Sequence, residues 1–203
     1  MSALVLTTVG VGAASSPRLA PAGLLVERLG ERVMIDGGPG GEPDGRLDAW
    51  LVTDLRSELI AQLRKLARSR GLEPGSGRFD GAVLSVQYHP VVHTNHPAGG
   101  YLIRSGNQMV AWAPEFWEFP EWAAGADLLF AEAAGWNRPI RFAGGVGGHM
   151  DAIAVAAAAR AHRVRRLVFA HIGRPTLRAI DRGERPPFGE FGRDGQVFRL
   201  PVR

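Results

Sequence analysis

The sequence predicts a mixed α/β fold in which two sheets lie face to face beneath outer helices. Three observations lead there. Strand-like hairpin patterns fill the N-terminal part, strands alternate with helical periodicity afterwards, and the composition is that of a packed globule. At 203 residues, with 45% hydrophobic and 22% charged residues, the chain can bury a sizeable core. No repeat or second composition regime interrupts it, so one domain is expected over residues 1–203.

Ala3 to Val9 is a short β-branched, apolar run, and Gly10 to Pro21 is a Gly/Ser/Pro-rich loop. Leu24–Arg28 and Arg32–Asp36 read as a hairpin joined at Leu29-Gly30-Glu31. Gly37 to Gly41 breaks structure, and Asp48 to Thr53 reads as a buried strand. Ser57 to Arg70 has helical spacing: Leu59, Ile60, Leu63, Leu66 and Ala67 share a face, the basic residues take the other, and Gly71 suits the C-cap. Ala82 to Tyr88 is strand-like. Gly100–Arg104 and Gln108–Trp112 flank the turn Ser105-Gly106-Asn107. Pro120 to Gly125 suits a short helix before the buried strand Asp127–Ala131, which runs into Glu132. Met150 to His162 reads as a helix with Asp151 favourable in its first turn. Arg166–Ala170 is a strand that delivers His171, and the tail from Arg182 to Arg203 is Gly/Pro-rich until Gln196–Leu200.

The chain has no cysteine, so disulfides and thiolate ligands are excluded and any metal rests on His and carboxylates. The formal charge of +4 is arginine-borne, since Lys65 is the only lysine. The arginines are scattered, with only Arg160 to Arg166 locally basic, which argues against a nucleic-acid partner. No secretory leader pattern is seen and no apolar run approaches the roughly 20 residues that span a bilayer. A cytoplasmic protein without membrane contact is expected.

The candidate chemistry lies in His93-Thr94-Asn95-His96-Pro97, Ala111-Trp112-Ala113-Pro114-Glu115, Gly147-Gly148-His149-Met150-Asp151 and Phe169-Ala170-His171-Ile172. Together with Ile35-Asp36-Gly37-Gly38-Pro39-Gly40, Pro97–Ile103 and Gly125–Glu132, these ordered segments resemble the metallo-β-lactamase-fold superfamily. Within it they are most similar to the ribonuclease Z-like and cyclic phosphodiesterase-like branch. The resemblance covers most of the chain and implies a four-layer αββα sandwich of α/β (α+β) class. It also implies a metal-dependent hydrolase of a phosphodiester or similar ester.

The departure lies upstream. Where the family carries His-x-His-x-Asp-His, this chain has Asp54, Arg56, Glu58 and Leu59 in the four positions. Leucine cannot ligate and a guanidinium repels a cation, so a two-metal centre is not expected. What remains offers one divalent metal a mixed N/O set suited to Zn, Mn or Fe: His93 or His96, Glu115 and His171, with Asp54 or Glu58 in addition. His149 would act as general acid, and Arg56 would neutralise an anionic substrate oxygen. The expected partner is a small-molecule or phosphate-bearing substrate, and a homo-oligomer is compatible with the sequence.

Blander readings stand beside these. His171 could be a hydrogen-bonded core histidine, His149 a polar residue at a helix start, and Asp54-x-Arg56-x-Glu58 a surface loop with a local ion pair. His89 and His162 read as surface residues. Glu115, flanked by Trp112, Phe116, Trp117, Phe119 and Trp122, could be a loop-edge residue or the acid of an aromatic-walled pocket. Burial there would raise its pKa unless a cation offset it. Gly37–Gly41 and Gly144–Gly148 lack a phosphate-loop fingerprint, although the second stretch is predicted to end at a helix N-terminus. The alternative to a hydrolase is a non-catalytic binding or regulatory module without metal.

Overall fold

A computed structural model describes residues 3–14 and 16–202. Ser15, in the expected Gly10–Pro21 loop, and Arg203, at the end of the expected tail, lie outside the described residues. In chain order the elements are β1 (Ala3–Gly10), β2 (Gly23–Arg28), β3 (Glu31–Asp36), β4 (Ala49–Leu51), α1 (Ile60–Arg68), β5 (Arg78–Asp80), β6 (Ser85–Val91), β7 (Ala98–Ser105) and β8 (Gln108–Ala113). There follow β9 (Leu128–Ala133), β10 (Ile140–Arg141), β11 (Gly148–His149), α2 (Ala152–Ala161), β12 (Leu167–Ile172), α3 (Arg174–Asp181), β13 (Glu190–Phe191) and β14 (Gln196–Pro201). A 3-10 turn at Glu121–Ala123 stands where a short helix is expected.

The strands form a five-stranded sheet, ordered β14-β1-β2-β3-β4, and a seven-stranded sheet, ordered β13-β12-β9-β8-β7-β6-β5. Side chains alternate across a strand, and the first sheet uses both faces. Leu24, Val26, Val33 and Ile35 join the core shared with Tyr101, Ile103, Trp112 and Phe130 of the second sheet. Leu25 and Met34 point the other way, onto Leu63 and Ala67 of α1. Burying Leu63 in that layer contributes about 1.5–3 kcal/mol. On the far side α2 packs against β9 and β12 through Ala152, Val155, Ala156 and Ala159. The result is the expected αββα order of layers.

The β2–β3 hairpin turns at Leu29 and Gly30, both at positive φ (46° and 91°), the conformation that matches the twist of paired strands. Several expectations shift. α1 begins at Ile60, so Leu59 leaves the helix face and borders a cleft instead. β4 is shorter than expected because its parallel pairing with β3 covers only Ala49, Trp50 and Leu51. β6 starts at Ser85, since Ala82 and Val83 donate their N–H groups to the Glu31 carboxylate. α2 begins after Asp151, whose side chain caps it by accepting from Ala154 N at 3.0 Å. α3, with Pro175 in its first turn, was not expected, nor were the short β5, β10, β11 and β13. No helix among the described residues is long and apolar enough to cross a membrane.

Candidate functional site

A cleft of about 520 Å³ opens at one end of the two sheets, where loops following β1, β3, β4, β6, β8 and β12 converge. Its floor is built around Glu132. This residue sits within β9, fully buried, and its carboxylate collects four contacts. Oε1 accepts from Ala134 N (2.8 Å) and faces His171 Nδ1 (3.3 Å). Oε2 accepts from Phe116 N (3.2 Å) and faces His149 Nδ1 (2.7 Å). One buried carboxylate therefore orients two imidazoles, whose rings stack 5.3 Å apart.

His171 reaches this position by a local distortion. Pairing between β12 and β9 shifts register between Phe169 and Ile172, and His171 takes φ 54°, a left-handed conformation uncommon for a residue with a Cβ. Its Nε2 then lies 2.7 Å from Glu115 Oε1. His93, in the β6–β7 loop, lies 3.0 Å from Glu115 Oε2 through its own Nε2. His93 Nδ1 donates to Gly148 O at 2.9 Å. The hairpin β10–β11 supplies that carbonyl and also carries His149. At Gly147 and Gly148 a Cβ would fall 2.1 Å from His93 O and 2.0 Å from Ile140 O, so glycine alone permits this close approach. The Gly144–Gly148 stretch is thus the tip and return of a hairpin packed on His93, and the α2 N-terminus lies beyond it.

The charges are coupled. Burial alone would raise the Glu115 pKa, but the charge of His171 and the hydrogen bonds from His171 and His93 outweigh it and hold the carboxyl well below its ordinary value. Burial would lower His171, yet Glu115 and then Glu132 push it well above the ordinary histidine value. His93 is raised too: Glu115 and the Gly148 carbonyl overcome burial. Glu132 is lowered because the charge and hydrogen bond of His149 exceed its burial penalty. Without a metal, the cation that offsets Glu115 is imidazolium, and the aromatic residues flanking it in sequence do not line the cleft.

The sequence candidates divide into two groups. His93, Glu115, His149 and His171 come together. His96 and Asp54 instead bond each other, Nε2 to Oδ2 at 2.8 Å, and Asp54 Oδ1 accepts from Arg56 N at 2.7 Å. Arg56 and Glu58 are exposed at the cleft border, Glu58 away from the histidines' hydrogen-bond network. His89 stacks on Trp122 and His162 bonds Glu121; both are half-buried and neither lines the cleft. Sequence reasoning missed two carboxylates as site residues. Glu132 was seen only as a strand end. Asp36 accepts from Thr53 N (2.7 Å), Thr53 Oγ1 (3.0 Å) and Trp112 Nε1 (2.7 Å), tying β3, the segment after β4 and β8 together at the cleft. Its burial pushes its pKa up to about 6. The signal in both cases is an acidic residue ending an apolar strand run.

The donor chemistry can be tested against a metal. The Gly148 carbonyl can only accept, so His93 Nδ1 carries the proton and the neutral ring turns an Nε2 lone pair toward Glu115. His171 is in the same position, with Nδ1 on Glu132 and Nε2 on Glu115. Each Nε2···O contact therefore requires a proton or a cation between two acceptors. One divalent ion supplies the same charge as two protons, and carboxylate- or carbonyl-buttressed Nδ1 is the usual support for a ligating Nε2. His93, Glu115 and His171 thus offer donors of metal-ligand chemistry, the two imidazoles meeting different oxygens of Glu115. Among the described residues the group whose ligand atoms all lie within 4.8 Å of one another is Glu132, His149 and His171. Glu132 is already saturated by two peptide N–H groups and two imidazoles, which suits it to orienting rather than ligating. The Asp54, Arg56, Glu58 and Leu59 side offers a second ion no comparable set.

No protein-family model and no curated protein matches the sequence. Solved structures do match. Zn(2+)-bound PqqB from Methylobacterium extorquens is 14% identical, with 97% of this chain and 100% of that chain covered at a TM-score of 0.76. The metallo-β-lactamase fold protein YhfI from Bacillus subtilis is 14% identical over 96% of this chain and 99% of its own, at 0.74. A diphosphatase from the PhnP family is 19% identical over 98% and 99%, at 0.72. Likeness along nearly the whole of each chain, in the same layered arrangement, shows that this protein has the metallo-β-lactamase fold.

Proposed function

We propose that this chain is a hydrolase of a phosphodiester or similar ester, a ribonuclease Z-like fold working with one divalent metal. The observation that carries the reading is the convergence of the His93 and His171 Nε2 atoms on Glu115, each ring locked through Nδ1. These three residues would hold the ion, and zinc, manganese or iron suits the set. A bound divalent cation supplies Lewis acidity and lowers the pKa of an attached water. His149, oriented by Glu132, gives a proton to the leaving oxygen. Arg56 pairs with an anionic substrate oxygen at the border. The similar diphosphatase supports a phosphate-bearing small molecule as substrate. The chain would act as one cytoplasmic domain, alone or as a homo-oligomer, without nucleic acid or membrane.

A second reading has its own support. The direct Glu115 bonds to His93 and His171 close the network with protons alone, as a metal-free binding or regulatory module would need. Metal analysis of protein purified without chelator decides between them. The hydrolase reading expects near one equivalent per chain, lost in His171→Ala. It also expects turnover of bis-p-nitrophenyl phosphate that disappears in His149→Ala and Glu115→Ala. Metal-free protein whose melting is indifferent to chelator would leave the module.

A further inference from the structure

The inner carboxylates of the cleft are spoken for: Asp36 by Thr53 and Trp112, Asp54 by His96, and Glu115 by two histidines. The basic side chains on its border are not. Arg56 and Arg174 both line the cleft and are exposed, and neither guanidinium has a hydrogen-bond or ion-pair partner among the described residues. The segments that carry them are linked through neighbouring chain. Gly38 lies between Leu59 and Pro21, Pro21 is bridged to Gly12, and Gly12 is bridged to Ile172, two residues before Arg174. Glu58, also on the border, leaves two guanidinium charges against one free carboxylate.

The cleft lining also carries apolar side chains, Leu59, Leu63, Pro114, Ile140, Phe142 and Pro175. Leu59 and Arg56 occupy positions where the resemblance implies metal-ligating histidines. That half of the cleft has exchanged metal donors for a guanidinium and a hydrocarbon wall.

We propose that the cleft binds an oxyanion carried on an apolar body, with Arg56 and Arg174 as the charge contacts and the Leu59–Phe142 surface holding the body. The shared chemistry is a phosphate or carboxylate anion joined to aryl or alkyl groups. The inference rests on the hydrolase reading for its biological sense, but the binding itself requires neither metal nor turnover.

The test is calorimetric titration of chelator-treated full-length protein with diphenyl phosphate, diphenylacetate and dimethyl phosphate. The expected result is binding of at least one diphenyl anion, about tenfold or more tighter than dimethyl phosphate. In the double variant Arg56→Ala/Arg174→Ala that affinity falls about tenfold or more, and its dependence on salt flattens. Preference for diphenyl phosphate or for diphenylacetate assigns the anion. Affinity unchanged in the double variant, no binding of either diphenyl anion, or dimethyl phosphate binding as tightly would overturn the proposal. Absence of metal or of turnover sinks the hydrolase reading alone and leaves this result standing.

Discussion

Two halves of one cleft are built on opposite plans. In the histidine half, every charged group is buried or half-buried and tied to another: His93 to Glu115, Glu115 to His171, and both His171 and His149 to Glu132. In the Asp54–Leu59 half, one pair, Asp54 with His96, is fixed, while Arg56 and Glu58 project into solvent. Buried charges demand partners, so the first half is a rigid scaffold that a cation can enter only by displacing protons. The second half faces water and is free to meet a ligand.

The sharpest way to break this contrast is Glu132→Ala. Removing a carboxylate that serves two peptide N–H groups and two imidazoles should cost about 3–5 kcal/mol, read by urea denaturation. A loss below about 1 kcal/mol would show that the floor is not the rigid half. Next in size is the pH profile of the metal-free protein. Glu115 and Glu132 are depressed below 4.5, so their stabilisation is full above that value and lost as pH falls through the lower folded values. His93 and His171 are raised above 6.5, so theirs is full below that value and lost as pH rises through the raised values. These groups together place greatest stability between 4.5 and 6.5. Asp36 acts in opposition within part of that range. Its stabilisation is full below 3.8 and declines as pH rises through about 6. Thermal melts of Glu115→Gln should show a smaller alkaline decline; an unchanged profile would contradict the coupling.

Smaller effects belong to the open half. Asp54→Asn weakens one hydrogen bond to His96 and should cost about 1 kcal/mol, with metal stoichiometry unchanged in elemental analysis. A halved stoichiometry would return Asp54 to the ligand set. Glu58→Gln should leave both melting temperature and metal content as they are. A clear shift in either would mean that the solvent-facing segment closes onto the site.

The same contrast explains what could be read from the chain. Strands whose apolar residues alternate or run unbroken, such as Leu24–Arg28 and Asp127–Ala131, are legible because local pattern and burial coincide. β10, β11 and β13 have two residues each and exist through partners distant in sequence, so no local pattern announces them. His171 and Glu115 were legible by position in ordered motifs. The choice between His93 and His96 was not, because it depends on which loop residue meets the Gly148 carbonyl and which meets Asp54. Asp36 and Glu132 were missed since a strand-ending acid looks the same whether it faces solvent or a buried imidazole.

The two oxygens of Glu132 have a consequence for how this site responds to change. Because Oε1 serves His171 and Oε2 serves His149, the proposed proton donor and the cation-facing ring share one anchor. A double-mutant cycle between the two histidines should therefore be non-additive, since each substitution leaves the other ring bound to a carboxylate with altered charge balance. Variation at either position is constrained by its twin, and the pair would be expected to change together or not at all.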